Sequence, residues 1–197
     1  MRIIAGRHRG RRLEAPPGAA TRPTADRVRQ ALFDMLWHAP WAGRAAVEEA
    51  QVLDAFAGTG ALGLEALSRG AAMAHFIERD RVALAVLRAN IAACREEGRA
   101  RVLPGDATRP PRASAACGLV FLDPPYGQEL VPRAVAALTA AGWIVPGALI
   151  CAEVGQGEAL DLPESEILAE RAYGAARLVC LRAAPGRLRL PDPPPGS

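Results

Sequence analysis

The chain has no lysine: all 24 of its Lys/Arg residues are arginine, a compositional bias from which no function follows. It also lacks any run of about eighteen apolar residues, which excludes a helical membrane span. The opening "MRIIAGRHRG" has basic residues but no apolar stretch behind them, so it does not read as a secretory signal, and a cytoplasmic location is expected. Cysteine is scarce. Cys94, Cys117, Cys151 and Cys180 lie about thirty residues apart with no C-x-x-C pair. That spacing excludes a local metal clip and a secreted disulfide framework, and leaves buried, reduced thiols as the expectation. The three histidines, His8, His38 and His75, are equally scattered and form neither a triad nor a metal set; no metal is expected.

What is present is a composition suited to one globular domain: 197 residues, 50% hydrophobic and 23% charged. The net charge of +3 is unevenly placed. Residues 1–30 hold eight arginines against Glu14 and Asp26, so the rest of the chain is net negative. A basic segment on a mildly acidic body points to an anionic partner at one end. No long apolar stripe demands an oligomer, and a monomer is expected.

Along the chain, "RIIAG" and "RRLEAP" flank the basic turn "GRHRGR" and predict a small hairpin or arm. Pro23 holds the chain extended, and Thr24 reads as the N-cap of a helix over Ala25–Trp37 with Asp26 in its first turn. Val28, Leu32, Met35 and Leu36 fall on one face of that helix, with Arg27, Gln30 and Asp34 opposite. Strand-like and helical runs then alternate: "QVLDAF", a helix near 61–69, "AMAHFIE", a helix near 81–95, "ARVLPGD", a loop, "LVFLD", a helix near 129–140, and "ALICAE". Gly70 fits the position just past a helix end. This alternation predicts an α/β fold with a mostly parallel sheet covered by helices on both faces. "SEILAERAYGAARLVCLR" reads as a closing antiparallel hairpin with its turn at Tyr173–Ala175. Three regions follow: a basic N-terminal extension with the first helix (1–40), a Rossmann-like core (41–183), and a Pro-rich tail (184–197) that reads as disordered.

"VLDAFAGTGALG" places Gly58-x-Gly60-x-x-Gly63 between a strand and a helix, and Glu78 follows at the end of the next strand. That pattern matches a dinucleotide site. Asp54 argues against one, because it points into the crevice a pyrophosphate would occupy. At roughly 4 Å and an effective dielectric of about 20, two like charges cost about 4 kcal/mol. S-adenosylmethionine (AdoMet) carries an ammonium and a sulfonium and no phosphate, so Asp54, Glu78 for the ribose and Asp106 for the adenine amine suit it better.

"LVFLDPPYG" ends a strand in an acid, two prolines and a ring. The Asp123 carboxylate and the Pro124 carbonyl are placed to accept the N–H groups of an exocyclic base amine, which localises a lone pair otherwise delocalised into the ring. Pro124 and Pro125 fix these acceptors, and Tyr126 offers a stacking face to an unpaired or flipped base.

With "MRIIAGRHRGRRL", "RPTADRVRQALFDML", "VLDAFAGTGALGLEALSRGA", "FIERD", "GDA" and "FLDPPYG" in that order, residues 1–183 resemble the RsmD family of bacterial 16S rRNA (guanine-N2)-methyltransferases. The N-terminal block is the more specific part, since the glycine loop and the DPPY corner are shared by many amino-methyltransferases. The resemblance implies a seven-stranded class I methyltransferase fold. It implies AdoMet contacts at Asp54, Ala55, Phe56, Ala57, Gly58, Thr59, Gly60, Glu78, Arg79, Asp106 and Ala107, and catalysis at Asp123, Pro124, Pro125 and Tyr126. The substrate it implies is 16S rRNA in a small subunit or assembly intermediate. Arg7, Arg9, Arg11 and Arg12 are expected to contact RNA phosphates, and Arg22, Thr24 and Arg27 to close over the donor's methionyl end or the flipped base. The corner itself serves adenine N6 as well as guanine N2. Adenine-N6 methylation, a nicotinamide oxidoreductase and a non-catalytic ribosome-binding factor are the competing functions.

Overall fold

The computed structural model describes residues 1–16 and 23–185. Its centre is β1 (Gln51–Asp54), whose residues Val52, Leu53 and Asp54 are buried. β2 (Met73–Glu78) lies parallel on one side, followed by β3 (Ala100–Pro104). On the other side come β4 (Cys117–Leu122) and β5 (Ile144–Gly155), also parallel. β6 (Glu166–Tyr173) and β7 (Ala176–Arg182) form the closing hairpin, with β7 antiparallel to β5. The order is β3-β2-β1-β4-β5-β7-β6, seven strands in one α/β sheet.

Alternate strand residues supply two cores. Val52, Phe76, Leu119 and Phe121 pack with α1 (Pro23–His38), α2 (Ala61–Ser68) and α3 (Arg81–Cys94) through Phe33, Leu64, Leu67 and Leu87. Leu53, Ile77, Val120 and Ile150 pack on the other face against α4 (Leu130–Ala140) through Val131, Ala134 and Leu138. No helix joins β3 to β4. Buried Trp143 occupies that face, its indole N–H donating to Pro111 O (2.8 Å). Arg69 caps α2, and Gly70 follows at φ 109°, as expected of the residue past a helix end. All four cysteines are buried and unpaired.

Two local expectations are corrected. α1 begins at Pro23, so Thr24 lies inside the helix and does not cap it. Proline suits that first position, where its missing N–H costs nothing and its φ is already helical. The N-terminal pieces form no two-stranded ladder either. A single antiparallel bridge joins Arg2 and Arg12, with Ile3 N–H donating to Arg11 O and Gly10 N–H to Ile3 O (2.9 Å each).

The backbone groups that would extend a ladder are taken by α2 instead. Ile4 and Ala5 N–H donate to the buried Glu65 carboxylate (2.7 and 3.0 Å), and Ser68 Oγ donates to Ala5 O and accepts from His8 N–H. Gly6 passes so close that a Cβ there would lie 1.9 Å from Ser68 O. Ile3 and Leu13 belong to the same core as β1 and α2. Arg22 and the tail from residue 186 lie outside the described residues.

Candidate active site

The carboxyl ends of the five parallel strands each present an acid. Asp54 closes β1, Glu78 closes β2, Asp106 follows β3, Asp123 follows β4, and Glu153 lies near the end of β5. Because Leu122 pairs with Ala152, Asp123 and Glu153 emerge side by side.

Two cavities meet here. One, of about 260 Å³, is lined by Asp54, Gly58, Thr59, Asp123, Glu153 and Arg29, among others. The other, of about 530 Å³, is lined by Phe56, Gly58, Glu78, Arg79, the corner Asp123–Tyr126, and Leu130. Phe56, Gly58 and Asp123 border both.

The glycine loop is held from several directions. Asp54 accepts from Gly63 N–H (2.9 Å). Gly58 N–H donates to Glu78 (2.7 Å), whose other oxygen accepts from Arg79 and Asp80 N–H. Ala55 and Ala57 N–H donate to Phe121 O and Ile77 O. Gly60 stands at φ 79°, and a Cβ there would meet Leu87 at 2.4 Å. The buried Asn90 of α3 ties the loop to the N-terminal segment, donating to Thr59 O and Glu14 O and accepting from Glu14 N–H.

Three acids, Asp54, Asp123 and Glu153, line the smaller cavity together. Burial raises the Asp54 carboxyl to about 8, against the opposing Gly63 N–H and helped by Asp123 and Glu78. Asp123 is exposed where the two cavities meet, yet the protein atoms crowded around it strip away part of its hydration; that desolvation, followed by repulsion from Glu153, lifts it to about 7. Tyr126 donates its hydroxyl to Glu153. Gly127 N–H beyond the corner donates to Glu158 (3.0 Å).

The expected donor residues Asp54, Phe56–Thr59, Glu78 and Arg79 come together around these cavities, as do all four corner residues. Asp106 is fastened to the Thr108 N–H and hydroxyl, which hold its carboxyl below the usual range, and it lies 3.6 Å from Arg79. Ala107 is buried in the α4-side core and lines neither cavity.

The basic residues divide. Arg7 is spent on the body, 3.2 Å from both Glu96 and Leu67 O. Arg2, Arg9 and Arg27 line a separate cleft of about 500 Å³ between the N-terminal segment and α1, and Arg27 does not line the smaller cavity. Arg11 and Arg12 are exposed.

Three residues were missed: Glu153, Arg29 and Asn90. Glu153 obeyed the acid-at-strand-end rule that marked the others. Arg29 sits among Val28, Leu32 and Phe33 on the buried face of α1, and a charge in an apolar stripe was its signal. Asn90 gave none.

An α/β sheet of this order, with a glycine loop after its first strand and two cavities meeting at a stiff corner after its fourth, has the Rossmann-like architecture of class I methyltransferases. The solved structure of yhhF from Escherichia coli superposes with a TM-score of 0.81 at 36% identity, covering 94% of this chain and 99% of that one. Ribosomal RNA small subunit methyltransferase D of Escherichia coli K12 is 43% identical over 154 residues, 78% of this chain and 74% of its own length. Its Haemophilus influenzae namesake is 36% identical over 180 residues, 88% and 89% of the two chains. The family model described as conserved hypothetical protein 95 matches residues 1–182. The chain belongs to that family, the RsmD family.

Among the described residues no helix is long and apolar enough to cross a membrane, and no group of three His, Cys, Asp or Glu side chains is placed to hold a metal.

Proposed function

We propose that this protein transfers a methyl group from AdoMet to the exocyclic N2 amine of a guanine in 16S rRNA of the small ribosomal subunit. The observation that carries the reading is the position of Asp123, which borders the smaller, carboxylate-lined cavity on one side and the cleft of Pro124, Pro125 and Tyr126 on the other.

The smaller cavity fits the donor. Asp54, Asp123 and Glu153 line it together, and burial and mutual repulsion hold the first two above their ordinary range, a strain that a bound cation relieves. A pyrophosphate would add to the repulsion. Bound there, AdoMet supplies an electrophilic methyl group on a sulfonium.

Everything else is the chain's work. Glu78, fixed by three backbone N–H groups, keeps lone pairs for ribose hydroxyls. The Asp123 carboxylate and Pro124 carbonyl accept the two amine hydrogens and direct the nitrogen lone pair at the methyl group. Tyr126, anchored to Glu153, stacks on the base, an interaction worth roughly 1–3 kcal/mol. Asp123, with a pKa near that of neutral solution, then takes the proton the methylated amine must lose. The exposed arginines Arg9, Arg11, Arg12 and Arg27 hold the rRNA backbone.

The names of the relatives favour ribosomal RNA of the small subunit. The test is to incubate unmodified small-subunit particles with the protein and labelled AdoMet, then digest the rRNA to nucleosides. N2-methylguanosine is expected. N6-methyladenosine, or no label, would overturn the reading.

A further inference from the structure

Arg29 is 4% exposed and lines the smaller cavity. Its Nη2 donates to Arg2 O (2.6 Å) and Asp26 (3.0 Å). Its Nε has no hydrogen-bond partner and lies 3.8 Å from Glu65, whose oxygens already accept from Ile4 N–H, Ala5 N–H and Arg69. Nη1 meets the Met1 sulfur at 4.0 Å, a poor acceptor at long range. A buried guanidinium with idle donors is costly unless something completes it. Asp54, Asp123 and Glu153 line the same cavity. One small space therefore has a positive pole and a negative one, the charge pattern of an α-amino acid group.

We propose that Arg29 binds the α-carboxylate of the methyl donor's methionyl end, with Nη1 as the donating atom, while the acids opposite face the ammonium and the sulfonium. The inference rests on the AdoMet reading above and adds to it the residue that recognises the carboxylate. It also explains why an arginine stands in the apolar face of α1: the helix brings a positive charge to the cavity that the strand-end acids line. The Met1 sulfur rests between Arg29 Nη1 (4.0 Å) and Thr59 Oγ1 (3.4 Å).

The test is calorimetric and needs no turnover. The full-length chain, and its R29Q and R29K variants, are titrated with S-adenosylhomocysteine and with the same compound lacking the carboxylate. A hydrogen bond to a charged group predicts that the wild type favours the intact ligand by about 10- to 100-fold. R29Q is expected to lose that preference while binding the decarboxylated compound as the wild type does, and R29K to keep part of it. Equal wild-type affinity for the two ligands overturns the proposal whether or not the variants fold. So does a folded R29Q, judged by its melting transition, that discriminates as well as the wild type. Failure of the wild type to bind either ligand would instead bring down the AdoMet reading, and this inference with it.

Discussion

The Tyr126 hydroxyl donates to Glu153, and that same carboxylate raises the proton affinity of Asp123 one strand away. Tyr126 and Asp123, proposed to stack on the base and to accept from its amine, thus share one neighbour, and two substitutions separate its effects. E153Q keeps an acceptor for Tyr126 but removes the charge, so Asp123 should ionise at lower pH. The acid limb of the single-turnover rate, set near 7 by Asp123, is expected to move down in E153Q. Y126F leaves the charge in place, so its limb should stay and only its rate fall. D123A, which deletes the acceptor, should cost about 10²–10³-fold in rate. An unmoved limb in E153Q would dissociate Glu153 from the chemistry.

Asp54 links pH to stability and to binding. Its pKa rises from 3.8 to about 8 on folding, so the folded chain keeps a proton that the unfolded chain has released. The stabilisation is complete below pH 3.8 and is lost as pH rises to about 8. The melting temperature of the ligand-free protein should fall between pH 5 and 8, and D54N should flatten that fall. Because a cation favours the ionised form, AdoMet binding near neutral pH should release protons. Calorimetry in buffers of different ionisation enthalpy measures that release, which D54N should reduce.

Gly6 carries the close approach of the N-terminal segment to α2. It stands at φ 78°, and a methyl group would overlap the Ser68 carbonyl. Left-handed strain and overpacking together predict a loss of about 2–4 kcal/mol in G6A. Urea unfolding measures it; a loss under 1 kcal/mol would mean that the segment bends away freely.

Replacing Arg9, Arg11 and Arg12 by alanine should weaken rRNA binding and reduce the slope of log K against log salt by about 2. R7A should lower stability rather than the slope, because Arg7 is engaged with Glu96. A salt slope unchanged in the triple variant would place the phosphate contacts elsewhere.

The strand–helix alternation, the closing hairpin and the Asp-Pro-Pro-Tyr corner were legible because each rests on a local signal: β-branched runs, glycines and prolines at element ends, acids at strand ends. Glu153 obeys the same rule, but "ICAEVG" has neither the Gly-x-Gly loop that marks Asp54 nor the paired prolines that mark Asp123. The cap assigned to Thr24 failed since Pro23 itself opens the helix. The short N-terminal pieces read as a hairpin from their alternation, yet Glu65 and Ser68, some sixty residues on, take the hydrogen bonds a ladder would use. Asn90 and Arg29 act through contacts 27 to 76 residues away along the chain, and no local pattern encodes such distances.

The anchoring of residues 1–14 also sets an order of events during synthesis. Their partners Glu65, Ser68, Asn90 and Glu96 lie in or just beyond α2 and α3. Residues 1–14 therefore have no partner in Glu65 and Ser68 before α2 is made, and none in Asn90 and Glu96 before α3 is complete. The segment is tethered first to α2 and fully fastened once α3 has formed, so the cleft it shares with α1 takes its final shape late.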